Sequence, residues 1–277
     1  CGVMWETNTG DCEVSRTGKV MVNWKIRWAV AGWLSDATAA EETYGHISTW
    51  DTGGVTDMSS LFASWNGGAA FNEDIGAWDT SGVTTMYGMF WDASSFNQDL
   101  SDWSFESVTS GNGLNQMFYG ASAFDQDIGA WDTSGVTTMQ SMFRSASSFN
   151  HTLGDWQVDQ VTDMRYMFKD ASAFDRPLGD WSVGNVGDMR QMFNGATSFN
   201  QPLSGWSVVQ VTNMRGMFQD AASFDQDLGA WSVGGVTNMA NIFNGASAFD
   251  QDLGWCVDTS VNKNNAFAGS ACAATAC

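Results

Sequence analysis

Carboxylates that recur beside regularly spaced tryptophans are the residues of this sequence best suited to chemistry. Trp occurs at positions 50, 78, 103, 131, 156, 181, 206, 231 and 255. Each of the first six has one adjacent aspartate, and these are Asp51, Asp79, Asp102, Asp132, Asp155 and Asp180. Carboxylates stacked about 5 Å apart repel one another unless water, a cation or a basic partner lies between them. We therefore expect an acidic face, which is either a solvated surface or a binding face for Ca²⁺ or a cationic partner.

This acidic face is expected to cover the N-terminal two-thirds of the repeats. The next two tryptophans are flanked by Gly205, Ser207, Ala230 and Ser232, which carry no charge. The sequence has no EF-hand-type loop, so a calcium site would be assembled across neighbouring units. Apart from such a cation we expect no cofactor.

Catalytic patterns are missing from the sequence. It has no GxSxG, HExxH or phosphate-loop motif. His46 and His151 are the only histidines, so the commonest general base is almost absent. We predict that the protein is not an enzyme.

The cysteines are confined to the two ends of the chain, at Cys1, Cys12, Cys256, Cys272 and Cys277. A zinc site is the weaker interpretation, because the sequence has no CxxC pair and both histidines are distant in sequence. Terminal disulfides are favoured instead, and they indicate an oxidising, extracellular compartment. We predict local pairs, Cys1 with Cys12 and Cys256 with Cys272 or Cys277, which leaves a fifth cysteine unpaired or joined to sequence outside this chain.

The spacing of the tryptophans indicates a structural repeat of 25 residues. Steps of 28 contain three-residue insertions, at 63–70 and 110–112. One regular unit reads "FDRPLGDWSVGNVGDMRQMFNGATS", residues 174–198. Alternation around its Trp predicts a short strand, and the spacing of three and four in "VGDMRQMF" predicts one or two helical turns. Because such a unit cannot bury its apolar side alone, units must stack, with the tryptophans in one buried column.

Two polar positions repeat with the same period. Asn or Asp follows the opening Phe of each unit, where a short polar side chain can bond turn backbone. Thr precedes the predicted helical segment in most units, where its hydroxyl can cap free N–H groups. Asn150 belongs to the first column and also begins the triplet Asn-His-Thr, which makes it a candidate for N-glycosylation.

Open stacks of repeats need caps at both ends. Residues 23–36 read "NWKIRWAVAGWLSD", with apolar side chains at helical spacing. We therefore divide the chain into an N-terminal cap with a capping helix (1–46), the repeats (47–254) and a Cys-containing C-terminal cap (255–277).

Two stretches carry a resemblance to a known family. They are "FNQPLSGWSVVQVTNMRGMF" (199–218) with its sibling units, and "WLSDATAAEETYGHISTWDTGGVTDMSSLF" (33–62). Both resemble the BspA-like leucine-rich-repeat surface proteins, and the likeness extends over roughly residues 25–270. The resemblance implies an LRR-like α/β solenoid, a cell-surface or secreted setting, and a role in adhesion or recognition. It implies no catalytic residues.

Charge limits the partners that this chain can have. Its 11 Lys+Arg and 31 Asp+Glu give a net charge of −20, which repels nucleic acid and anionic lipid. No apolar run is long enough to span a membrane. We expect a non-enzymatic extracellular protein for adhesion, recognition or matrix assembly, with a protein or glycan partner and with self-assembly as a further expectation. The alternative is a Ca²⁺-dependent or mineral-associated structural protein that works through its acidic face.

Overall fold

The computed structural model describes residues 15–109 and 111–272. Strand β1 (Val20–Val22) is followed by helices α1 (Asn23–Ser35) and α2 (Ala37–Tyr44), and strand β2 (Asp51–Gly54) pairs with β1 in parallel. Short 3₁₀ helices occupy Ile47–Thr49, Ser64–Asn66 and Gly68–Ala70. From residue 71 onward, the part of the chain that the structure describes consists of turns and isolated bridges, with no helix or strand.

Helix α1 lies in the stretch where the sequence predicts a helix. Its residues Ile26, Ala29, Val30 and Trp33 are buried, which is the spacing of one helix face. Asn23 at its start accepts hydrogen bonds from the backbone N–H groups of Thr56 and Asp57. Helix α1 is therefore joined to the first repeat by polar contacts as well as by its apolar face. Helix α2 begins after Asp36, whose side chain accepts the Ala39 N–H as an N-cap.

Successive units stack as coils that are hydrogen-bonded to one another through their backbones. Between two regular coils, the amides of residues 139, 141, 143 and 145 donate to the carbonyls of residues 163, 165, 167 and 169, at 2.7–3.0 Å. Parallel bridges recur at the same place in each coil, for example Asp163 with Asp188 and Asp188 with Asn213. The chain is thus a repeat protein in which each unit contacts its neighbours in sequence.

The predicted secondary structure of the unit was wrong in two respects. From Trp78 onward the stretch around each Trp is irregular rather than a strand, and the inter-coil bridge lies at the residue before the first Met of "MRQMF". The predicted helical segment is a run of consecutive turns, because Met192 N–H bonds Met189 O and Ala196 N–H bonds Phe193 O, each across three residues. Positive φ at Gln191 (52°) and Gly195 (69°) places the third residue of each turn in the left-handed region, as in type II turns.

Aromatic columns fill the centre of the stack. One Phe column runs through Phe143, Phe168 and Phe193 with ring centroids 5.6 Å apart, and a second through Phe149, Phe174 and Phe199 at 6.0 Å. The prediction of a buried Trp column is confirmed, since Trp78, Trp103, Trp131, Trp156, Trp181, Trp206 and Trp231 are only 3–4% exposed. From Trp131 to Trp255 these rings stack on one another at 6.1–6.5 Å.

Candidate functional surface

The aspartates of the predicted acidic face are all exposed, but they occupy two positions of the unit rather than one. Asp51, Asp79 and Asp132 follow their Trp, whereas Asp102, Asp155 and Asp180 precede theirs. The predicted stripe therefore consists of two columns, and neither contains an aspartate in every coil.

The first trio is bonded to its own turns. Asp79 accepts the N–H and the hydroxyl of Ser81, and Asp132 accepts the N–H of Ser134. The side-chain bond from the serine, and then the backbone bond, lower the pKa of both carboxyls. Asp51 accepts the N–H of Gly53 at 3.3 Å. These carboxylates shape the turn after the Trp.

The second trio has no such role. Asp102, Asp155 and Asp180 accept no hydrogen bond from the residues that the structure describes. Within those residues there is also no group of three or more His, Cys, Asp or Glu side chains that could hold a metal ion. Calcium binding by the acidic face stays a prediction, and calorimetric titration of the purified protein with Ca²⁺ tests it.

The Asn or Asp side chain after the opening Phe bonds to backbone, as predicted. The backbone group that it bonds belongs to the next coil and not to its own turn. Asn150 Oδ1 accepts the N–H of Asp175, and Asp175 Oδ1 accepts the N–H of Asn200, at 3.0 and 2.9 Å. Glycosylation of Asn150 stays a prediction.

The repeated Thr was predicted to cap a helix, and the structure gives it a different role. The amide and hydroxyl of Thr237 both donate to the carbonyl of Thr212 in the preceding coil.

Of the five cysteines, only Cys256 and Cys272 lie among the described residues; Cys1, Cys12 and Cys277 lie outside them. The Cys272 thiol contacts the carbonyl of Gln251 at 3.3 Å. Burial raises the pKa of this thiol, and the charges of Asp250 and Asp252 add to the effect. The predicted disulfide pairs stay predictions.

A different surface, which sequence reasoning missed, runs along the turns that follow the first Met of each unit. We call it the aromatic–basic strip. Its aromatic members are Trp65, Tyr87, Trp91, Tyr119 and Tyr166. Its basic members are Arg144, Arg165, Lys169, Arg190 and Arg215. It therefore holds five of the chain's 11 Lys and Arg residues and three of its 4 tyrosines.

The N-terminal half of the strip is a continuous stack of rings. Trp65, which is 58% exposed, meets Trp91 edge-on at 5.2 Å, and Trp91 stacks on Tyr119 at 4.4 Å. The Arg144 guanidinium lies over the Tyr119 ring at 5.0 Å and over the Tyr166 ring at 5.7 Å. Arg144 thus extends the ring stack from one coil to the next by cation–π contact.

The C-terminal half of the strip is a column of arginines at one position of three consecutive coils. Arg165 is paired with Asp163 at 2.7 Å, and Arg190 is paired with Asp188, whose hydrogen bond and charge raise the pKa of the guanidinium. Arg215 has Asn213 in the equivalent place and forms no ion pair with the described residues. Positive charge is therefore least compensated at Arg215 and at Arg144, which also lacks an ion pair within the described chain.

Sequence comparison assigns the chain to a family. A family model described as "Mycoplasma protein of unknown function, DUF285" matches three successive stretches, residues 38–114, 111–187 and 177–276. The chain belongs to the DUF285 family. The DUF285 matches begin after α1 and together cover the coils, so the strip and the acidic positions both lie inside DUF285 sequence. A search of curated proteins and a search of solved structures each gave no match.

The three DUF285 matches also agree with the repeat that the structure shows. Each spans several stacked units rather than one, in keeping with units that bury their apolar sides only against neighbours. Among the described residues, none of the helices has the length and apolar character needed to cross a membrane.

Proposed function

We propose that this protein is a non-catalytic binding protein that presents the outer surface of its coils for adhesion, recognition or matrix assembly, at a cell surface or in the extracellular medium. The stacked coils and their 25-residue period support an LRR-like solenoid of the BspA-like type. The clustering of cysteines at the chain ends supports the extracellular setting and terminal disulfides.

One observation carries the proposal: the interior positions repeat from unit to unit, whereas the side chains of the strip vary. In the regular coils the interior positions are Phe, Leu, Trp, Val and Met in almost every unit, and they are buried. The position after the first Met of the turns, or after Leu114 in the coil that has Leu at the Met position, differs from coil to coil in size and charge. It is occupied in order by Ser59, Tyr87, Asn115, Gln140, Arg165, Arg190, Arg215 and Ala240. A constant core beneath a variable surface is the arrangement expected of a recognition scaffold.

The strip is suited to binding because it is held in place before a partner arrives. Each coil is bonded to the next through three or four backbone amides in the same turns that carry the strip. Side chains such as Arg144 and Tyr119 are further held by their contact with each other. Little conformational freedom is left to lose on binding, which favours affinity. Trp, Tyr and Arg are also the residue types that dominate the energetics of protein interfaces.

Binding of the fluorescently labelled protein to intact cells, and to arrays of matrix proteins and surface glycans, tests the proposal. We expect saturable binding that is lost when the strip is truncated in the double variant Trp65→Ala/Arg144→Ala. The matched control is Trp28→Ala/Arg176→Ala, because Trp28 is 60% exposed and neither residue belongs to the strip. Absence of saturable binding to every surface would overturn the proposal, as would equal losses in both variants.

A further inference from the structure

Charge is distributed unequally around each coil. The half of the unit from its opening Phe to its second Val carries more than half of the chain's 31 acidic residues and a single Lys or Arg, Arg176. We call this half the acidic side. The strip lies on the other half, since Phe143 at the strip's turns packs across the core against Trp156 of the acidic side at 6.1 Å. The two surfaces of opposite character therefore face away from each other.

The positive groups that the strip offers to a partner are Arg144, Arg215 and the edges of its rings, because Arg165, Lys169 and Arg190 are paired with Asp163, Asp170 and Asp188. Trp91 and Tyr119 are stacked nearly parallel, at 24°, so their faces are covered by each other and by Arg144. Half-exposed rings in such a stack present their edges, which are the positive part of the aromatic quadrupole. Ring edges and guanidinium N–H groups together favour carboxylates, and the covered faces of Trp91 and Tyr119 leave little room for a sugar to stack on them.

We propose that the aromatic–basic strip of one copy binds the acidic side of a second copy, so that the protein assembles side by side. This deepens the matrix-assembly part of the proposed function and rests on it. On the acidic side the contact uses Asp102, Asp155 and Asp180, the exposed carboxylates that no described turn employs.

A second copy fits the strip better than an unrelated acidic chain because both surfaces have the same repeat. Along the stack, the strip and the acidic side both repeat once per coil. The centroids of equivalent core rings in neighbouring coils lie 5.5–6.5 Å apart. When two stacks lie side by side, Asp155 and Asp180, one coil apart, keep in step with guanidinium groups one coil apart, and Asp102 lies two coils before Asp155. An acidic peptide without this period meets only some of the basic groups.

The overall charge of −20 opposes this contact only at long range. At physiological ionic strength the screening length is about 8 Å, which is short beside the dimensions of the molecule. Contacts between the two surfaces are less screened and determine the outcome. Because the two surfaces differ, the contact is heterologous and propagates from copy to copy instead of closing as a two-fold dimer.

Sedimentation velocity of the purified full-length protein over a range of concentrations at physiological salt tests the proposal. We expect the weight-average sedimentation coefficient to rise with concentration. The strip variant Arg144→Glu/Arg215→Glu and the acidic-side variant Asp102→Lys/Asp155→Lys/Asp180→Lys should each weaken association by about tenfold or more. The second result is diagnostic, since that variant has a smaller net charge and would associate more readily if overall repulsion were in control.

Mixing the neutral variants Arg144→Ala/Arg215→Ala and Asp102→Asn/Asp155→Asn/Asp180→Asn gives the sharpest result, because the charge-reversed surfaces would attract each other. The first keeps its acidic side and the second keeps its strip, so one contact is possible between them. We expect a one-to-one complex that does not grow further. Lys19→Glu/Lys263→Glu makes the same change of net charge as the strip variant, outside both the strip and the acidic side, and should associate like the unaltered protein.

Circular dichroism establishes that each variant is folded, and Asp102→Asn/Asp155→Asn/Asp180→Asn replaces the lysine variant if that one is not. An unaltered protein that stays monomeric at every concentration would overturn the proposal, and so would variants that associate as well as it does. If the protein binds cells or matrix components yet remains monomeric, the proposed function stands and this contact fails. If the protein associates only after polyglutamate is added, the strip binds a different acidic partner, and this result also overturns the proposal.

Discussion

At the scale of single residues, the tryptophans combine two roles that no other side chain supplies. Each indole of the buried column from Trp78 to Trp231 lies in the aromatic core, and its ring N–H donates to a carbonyl of the preceding coil; Trp181, for example, donates to Leu153 O at 2.9 Å. A buried carbonyl that accepts no hydrogen bond costs free energy. The indole N–H supplies this bond where the coil lies outside the backbone ladder that joins neighbouring coils. The Trp therefore joins two coils by packing and by hydrogen bonding at once.

Replacing Trp181 with Phe should lower the free energy of unfolding by about 2–3 kcal/mol. The change leaves a cavity beside Trp156 and Trp206 and removes the donor to Leu153 O. Urea denaturation measures the effect. The control is Trp28→Phe, which alters an exposed ring and should change stability by no more than about 0.5 kcal/mol. Equal effects of the two substitutions would contradict the role assigned to the buried indole.

Asp163 is the residue at which a change of pH should be most informative. Burial raises its pKa, and the charge of Asp188 adds to this, although the Arg165 N–H and guanidinium oppose it. Because the folded protein holds this proton more tightly than the unfolded chain does, the contribution of Asp163 to stability is greatest at acidic pH and is lost as pH rises through the raised pKa. The equivalent positions two and three coils later are Asn213 and Asn238.

We therefore expect Asp163→Asn to melt at a slightly higher temperature than the unaltered protein at about pH 7, with the difference shrinking toward about pH 3. Asparagine keeps an oxygen for the N–H of Arg165, as Asn213 does for Arg215. The lost ion pair with Arg165 offsets this by at most about 1 kcal/mol. Thermal melts at both pH values test this, with Asn213→Asp as the reverse change. A variant that is less stable at neutral pH would show that the ion pair outweighs burial.

At the scale of the repeating unit, the polar turn after each opening Phe holds adjacent coils in register. Asp175 Oδ1 accepts both the N–H of Asn200 and the side-chain amide of Gln201. Asp175→Ala should lower the free energy of unfolding by about 1–3 kcal/mol, because the Asn200 N–H loses its acceptor. Asp175→Asn should be nearly neutral, since Asn150 and Asn200 already do the same in neighbouring coils. Chemical denaturation of both variants measures these changes. Equal losses of unfolding free energy in the two variants would show that the carboxylate charge, and not the shared side-chain oxygen, is responsible.

The unit also shows how far its sequence can predict its structure. The period, the buried Trp column and the polar turn positions follow from spacing and residue type, since only stacked units bury so many apolar side chains. The turns of "MRQMF" cannot be predicted in this way, because their apolar residues have the same spacing of three and four as those of a helix. Ser141, Tyr166 and Gln191 have positive φ, which residues of these types usually avoid, so the sequence does not predict it. The hydrogen bonds between coils impose this backbone conformation. The strip was missed for a related reason: its members are adjacent only once those turns are known.

At the scale of the whole molecule, the contacts between coils join positions about one period apart. The ladder bonds, the Phe and Trp columns and the Asn/Asp bonds all connect positions 23–28 residues apart. Stability is then close to a sum over units and the interfaces between them, and the register of one pair of coils does not depend on how many others are present.

Deleting one whole unit, residues 174–198, should therefore leave a folded protein. The new junction joins Ala173 to Phe199, so each remaining coil meets a neighbour with the same columns and the same bond donors. We expect a cooperative thermal transition at a modestly lower temperature, and small-angle scattering should show a particle shorter by about 5 Å. Deleting only residues 174–186 removes half a unit, places the strip half of one coil against the acidic half of the next, and should abolish cooperative folding. If both deletions fold equally well, the coils are not held by period-matched contacts; if neither does, the units are not interchangeable.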